Sequence, residues 1–165
     1  MTLTAHAVFG TAAALVFREN PVAAFVAAFA SHFAADAIPH WDYSIRSFTE
    51  HPSDYRKSSF TFGKQFRRDL FVSGLDCTLG FFASLAAAAA LHPGYIRIAL
   101  IGATGGVLPD FLQLMYYLMP RPFEKLQKFH WAIQKNNVLK KKYPLFGISS
   151  QAALVLAALA VISIA

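Results

Sequence analysis

The sequence predicts an all-α integral membrane bundle of about five transmembrane helices, with a further amphipathic helix on the cytoplasmic side. Three observations carry that expectation. Hydrophobic residues make up 56% of the 165-residue chain and charged residues only 15%, against about a quarter in a soluble domain. Five apolar stretches, at about residues 2–17, 21–38, 70–91, 96–118 and 145–165, approach the roughly 20 residues a spanning helix needs. The basic residues avoid those stretches: of fifteen Lys and Arg, six fall in loop 41–69 and seven in loop 120–144, leaving Arg18 and Arg97.

The elements follow in order within a single helical membrane domain, 1–165. "MTLTAHAVFG" lacks the basic region of a secretory signal and carries a histidine in its apolar run, so a retained helix is expected. In "RENP", Asn20 can cap and Pro21 can take the first helical position, which predicts a tight helical hairpin between the two short stretches. Whether that hairpin crosses fully or re-enters is left open. Pro39 ends or kinks the second stretch. "HPGY" at 92–95 separates the third from the fourth, and Gly102 and Gly106 in "GATGG" predict close helix packing. Phe123, Leu126, His130 and Ile133 share one helical face, with Glu124, Lys125, Lys128 and Lys135 mostly off it. A basic amphipathic helix of that kind rests on the membrane surface, with His130 toward the bundle.

Charge asymmetry sets the expected orientation. Positive residues stay inside, which places both long loops and the N-terminus in the cytoplasm, the C-terminus across, and the protein in a bacterial inner membrane. Lys140, Lys141 and Lys142 belong to that signal. The net charge of +6 then meets the anionic lipid surface as partner, and no nucleic-acid-binding motif is present. Cys77, the single cysteine, excludes an internal disulfide and a thiolate cluster. Trp41, Tyr43, Tyr116, Tyr117 and Trp131 read as an interfacial belt.

Ionisable residues inside such stretches mark function. In "SHFAADAIPHWD", His32, Asp36 and His40 stand at i, i+4 and i+8, which on a helix is one face drifting by about 40° per step. With the expected topology His6, Asp76, Asp110 and His130 fall in the same cytoplasmic leaflet. Asp69, beside Arg67 and Arg68, reads as an interfacial charge, Asp42 as a site residue or a loop cap, and His51, Asp54 and His92 take no site role. A His/Asp set without cysteine suits zinc, manganese, iron or a dinuclear centre. An open coordination position there would activate water and polarise a phosphoryl or carbonyl oxygen.

"TAHAVFG", "SHFAADAIPHWD", "GVLPD" and a downstream histidine resemble the bacterial membrane-bound metal-dependent hydrolases, a group thought to be related to zinc-dependent phospholipase C-like proteins. The resemblance covers most of the chain as a pattern of short motifs. It implies a helical membrane protein with hydrolase activity and a His/Asp metal site, and places His6, His32, Asp36, His40, Asp110 and His130 at ligand-type positions. The chain departs from that pattern in reading "FLQ" after "LPD", where a second Asp and a His are expected, and in carrying one histidine in "FHWAIQ".

Together these readings predict a divalent metal, zinc before manganese or iron, held by His6, His32, Asp36, His40, Asp76, Asp110 and His130, with Asp36 and Asp76 as catalytic carboxylates. The expected reaction is hydrolysis of a phosphoester in a lipid or lipid-linked substrate at the cytoplasmic interface. The alternative from another class is a small transporter or a metal or proton carrier using the same cluster. A third reading is an assembly subunit whose polar residues pair within the bundle.

Overall fold

A computed structural model describes residues 1–135 and 144–165, so Lys140, Lys141 and Lys142 lie outside the described residues. The Thr2 hydroxyl accepts from the Ala5 N–H and opens α1 (Leu3–Val16). Asn20 accepts from the Val22 and Ala23 N–H groups at 3.1 Å each, and Pro21 takes the first position of α2 (Pro21–Asp36), where its missing N–H has no partner to lose. α2 and α3 (Lys64–Leu91) are separated by a connection in which two short strands, β1 (Phe48–Thr49) and β2 (Ser59–Phe60), pair antiparallel. A one-turn 3-10 segment at Pro93–Tyr95 leads into α4 (Ile96–Leu118), followed by α5 (Pro120–Lys135) and α6 (Pro144–Ile164).

The all-α expectation holds, with the two-residue strands as its exception. Among the described residues, three helices are long and apolar enough to cross a membrane, within Lys64–Leu91, Pro93–Leu118 and Leu145–Ile164. α1 and α2, with 14 and 16 residues, are shorter than the stretches 2–17 and 21–38 suggested. At 1.5 Å per residue they measure only about 21 and 24 Å, below the roughly 30 Å of a hydrocarbon core. The loop expected at 41–69 is shorter too, because α3 already begins at Lys64. Charge made "KQFRRD" look like loop, yet Lys, Gln and Arg are good helix formers and simply extend an apolar helix into a polar setting.

α1 forms the centre. Ala5, Ala7, Val8, Ala12, Ala14 and Leu15 are buried, and α2, α3, α4 and α6 all pack around them. Small residues make this possible, as in membrane helix pairs generally, where close van der Waals contact replaces the hydrophobic effect. A Cβ on Gly10 would overlap the Gly102 carbonyl oxygen, and a Cβ on Gly106 would overlap the His6 carbonyl oxygen. Gly105 meets α2 at Ala28, and Gly80 meets α1 at Thr4. The outer face of α3 is the reverse, with Phe71 and Phe82 each 73% exposed.

The two ends of the bundle differ in character. At one end Arg18 donates to the Ala165 carbonyl, the Tyr95 hydroxyl to Glu19 at 2.7 Å, and His92 Nε2 to the Ile162 carbonyl at 2.6 Å. At the other end the 37–63 connection folds back over α4 and α5. Phe48, Phe60 and Tyr117 stack edge to face or tilted, and Tyr55 packs on Tyr116 and Trp131. Tyr116, Tyr117 and Trp131 thus pack against rings of the 37–63 connection. Asp69 is buried as well. It accepts from the Ser47 N–H at 2.7 Å and the Ser47 hydroxyl at 2.8 Å, with Arg68 at 3.1 Å, and so ties the connection to α3.

Candidate metal centre

The close approach of α1 to α4 at Gly106 determines what meets one turn further on. Gly106 abuts the main chain of His6 in α1, and Asp110, four residues along α4, reaches the side chain of that residue: His6 Nε2 lies 3.8 Å from Asp110 Oδ2. α2 adds His32 and Asp36 one turn apart. α5 lays His130 over them, with Nε2 3.1 Å from Asp36 Oδ2. His40 arrives by a turn after Pro39, its Nδ1 donating to the Ile38 carbonyl at 2.8 Å. α6 pins that turn: the Trp41 N–H donates to the Gly147 carbonyl, the Ser150 hydroxyl donates to the Pro39 carbonyl, and Gly147 lies so near His40 that a Cβ would sit 2.9 Å from its carbonyl carbon.

His6, His32, Asp36 and His40 are fully buried and His130 is 1% exposed. His32, Asp36, Asp110 and His130 each offer a ligand atom, all within 4.8 Å of one another, and this group can hold a metal ion. His32 Nδ1 donates to the Gly106 carbonyl at 2.8 Å, which leaves the Nε2 lone pair facing inward. That lone pair meets His130 Nε2 at 3.2 Å. Two imidazole nitrogens at such a distance share either a proton or a cation. Separations of 3.1, 3.2, 3.6, 3.6 and 3.8 Å among the four donor atoms bracket the edge of about 3.3 Å expected of a tetrahedron with bonds near 2.0 Å. Two carboxylates in this interior also favour positive charge, of which the Met1 nitrogen beside Asp36 supplies one. The donor set therefore fits a divalent cation.

Two further groups touch Asp36. Gln134, one turn beyond His130 on α5, donates from Nε2 to Asp36 Oδ2 at 2.9 Å and lies 3.0 Å from His130 Nε2. Sequence reasoning passed it over, although its i+4 spacing from His130 was a usable signal. The Met1 nitrogen lies 3.1 Å from Asp36 Oδ1, 2.7 Å from His40 Nε2 and 3.5 Å from Asp42 Oδ2.

Of the seven expected ligands, Asp76 is not brought to the cluster. Its carboxylate accepts from the Leu3 N–H at 2.6 Å, the Thr4 N–H at 3.3 Å and the Thr4 hydroxyl at 2.6 Å, so it caps the start of α1 from the neighbouring α3. An expected catalytic carboxylate thus serves as a helix cap, because the unsatisfied N–H groups of an N-terminus attract the nearest anion. Tyr43 stands beside it, its hydroxyl 3.2 Å from Ser73 Oγ and 3.4 Å from Asp76. Burial first, opposed by the Ser73 hydrogen bond, pushes its phenol up to about 12, so it remains a proton donor across the physiological range. His51 Nδ1 accepts from the Asp54 N–H within its own loop.

Asp110 differs from the other members of this group in being 22% exposed. It opens onto a cavity of about 810 Å³ between α3 and α4. His40, Asp42, Tyr43 and Gln134 line the polar end, while Leu70, Val107, Phe111 and Leu114 line the apolar walls. No match to a known protein family, to a curated protein or to a solved structure is found for this chain.

Proposed function

We propose that this protein is a membrane-embedded metal-dependent hydrolase of the kind its short motifs resemble, cleaving a phosphoester of a lipid or lipid-linked substrate at the cytoplasmic face of a bacterial inner membrane. In this reading the bundle has five membrane segments, with α1 and α2 as a short hairpin held inside α3, α4 and α6. The N-terminus is cytoplasmic, and the metal is zinc, with manganese or iron as substitutes. One observation carries the reading: the Nε2 atoms of His32 and His130 face the carboxylates of Asp36 and Asp110 at cation-binding separations.

A divalent ion in that group supplies an acidified water and polarises a phosphoryl oxygen. The chain's own residues do the remainder. Gly106 holds the His32 tautomer through Nδ1. Gln134 steadies Asp36 and His130. Asp110, the ligand that reaches the cavity, is placed to take the proton of the attacking water. The Tyr43 hydroxyl can donate to a head-group oxygen entering past it. Leu70, Val107, Phe111 and Leu114 accept the hydrocarbon, so that a head group is delivered to Asp110 while its chain stays in an apolar setting.

Purified protein reconstituted in vesicles containing phosphatidic acid, and separately in vesicles of phosphatidylglycerol, tests the proposal. The expected result is release of phosphate or head group that depends on added divalent metal and disappears with chelator and in His130→Ala. Ion flux across the vesicles with no turnover of either lipid would instead support a carrier built on the same cluster.

A further inference from the structure

We infer that the groove between the 37–63 connection and the start of α3 binds the phosphate of one anionic phospholipid, held by Arg46 and Arg68. This rests on the reading of α3 as a membrane-crossing helix and is independent of hydrolysis. The groove encloses about 310 Å³; Trp41, Ser44, Arg46, Arg68 and Val72 line it, and none of the cluster's histidines does. Its two carboxylates already have partners. Asp69 accepts from the Ser47 N–H and hydroxyl and from Arg68, and Asp42 Oδ2 lies 3.5 Å from the Met1 nitrogen. Among the described residues no acceptor meets the Arg46 guanidinium. Arg46 is therefore the unbalanced charge of the groove. Arg68 is its oriented neighbour, since the 3.1 Å contact with Asp69 fixes the guanidinium and leaves most of its five donors unused. Two guanidinium groups with a hydroxyl between helix and loop match the oxygens of a phosphate.

The course of α3 makes that phosphate a lipid's. Phe71, Val72, Leu75 and Leu79 follow Arg68 at i+3, i+4, i+7 and i+11, so one stripe of the helix carries the guanidinium and then only apolar side chains. Phe71 is 73%, Leu75 52% and Leu79 55% exposed, so the stripe faces outward over its length. A phospholipid with its phosphate between the two arginines lays its hydrocarbon down this stripe. Trp41, 39% exposed, stands at the junction of polar and apolar surface, where an indole ring is favoured. Basic pockets at the cytoplasmic ends of membrane helices bind anionic head groups in this way. A free phosphate would gain the charge contact and cover none of the apolar stripe. The bound lipid also joins Arg46 of the connection to Arg68 of α3, in parallel with the tie between Ser47 and Asp69, and so steadies the segment that delivers His40.

Native mass spectrometry of the detergent-purified full chain tests this, with phosphatidylglycerol, phosphatidylcholine or glycerol 3-phosphate added and the melting temperature read in the same mixtures. One retained phosphatidylglycerol per chain and a raised melting temperature are expected, with a preference of about tenfold over phosphatidylcholine. Glycerol 3-phosphate at the same concentration should do neither. The preference should disappear in Arg46→Gln and in Arg68→Gln and persist in Arg67→Gln, which removes the same charge from a residue outside the groove. Equal retention of the two lipids, or a preference that survives in Arg46→Gln, would overturn the site. Binding of glycerol 3-phosphate as tight as that of the lipid would overturn the lipid as its occupant. Should Arg68→Gln fail to fold through its loss from Asp69, the exposed Arg46 decides alone. No arm reads turnover, so a protein that hydrolyses nothing could still pass.

Discussion

Asp36 on α2 and Asp76 on α3 are both carboxylates set among apolar residues near the start of α1, and their surroundings are opposites. Around Asp76 stand donors: two backbone N–H groups, the Thr4 hydroxyl and the Tyr43 phenol. Around Asp36 stand the Gln134 amide, the Met1 nitrogen and four imidazoles, two of which, His32 and His40, have their outer nitrogen already committed to a carbonyl. Backbone and hydroxyl donors satisfy Asp76 as a structural element. Four imidazoles converging on one carboxylate suit a cation, and in our proposal Asp36 is a ligand.

The largest effect that separates the two should come from Asp36→Ala. It removes the carboxylate that every histidine of the cluster approaches, and we expect bound metal to be lost and metal-dependent turnover to fall to background. Next is Gly106→Ala, whose new Cβ must push α4 off the His6 carbonyl. A cost of about 1–3 kcal/mol or more, typical of overpacking, should appear as a lowered melting temperature in detergent together with weakened metal binding. Gly74→Ala is its control, because nothing lies within 4 Å of the added atom.

Asp76→Ala should cost about 1–3 kcal/mol in stability through the lost cap and hydrogen bonds, with metal content unchanged. Loss of metal in that variant would erase the distinction between the two carboxylates. The smallest effect is assigned to Gln134→Ala. Removal of a supporting hydrogen bond commonly weakens metal affinity 10–100-fold, and about tenfold is expected here, read by competition with a chelator.

What separates Asp36 from Asp76 was only half legible in the sequence. The spacing of His32 to Asp36 and the amphipathic face carrying His130 are local periodicities, and both led to the cluster. The partners of Asp76 are Leu3 and Thr4, more than seventy residues away, and no local pattern announces a cap supplied from another helix. His40 was expected just past a helix end or kink at Pro39, and it reaches the site by a turn there. Gly102 and Gly106 signalled a close contact, but the sequence did not say that Gly10 of α1 lies opposite them, nor that this contact aligns His6 with Asp110. Small residues report that a helix pair is close and leave the partner to tertiary packing.

The most direct test of the central claim, that Asp36 and its histidines bind a metal while Asp76 builds the fold, is metal content measured by mass spectrometry on protein purified without chelator. Wild type, Asp36→Ala and Asp76→Ala would be measured side by side, with helicity checked by circular dichroism. The account predicts bound metal in wild type and in Asp76→Ala, and none in a folded Asp36→Ala. A folded wild type free of metal, or equal metal in all three proteins, would contradict it.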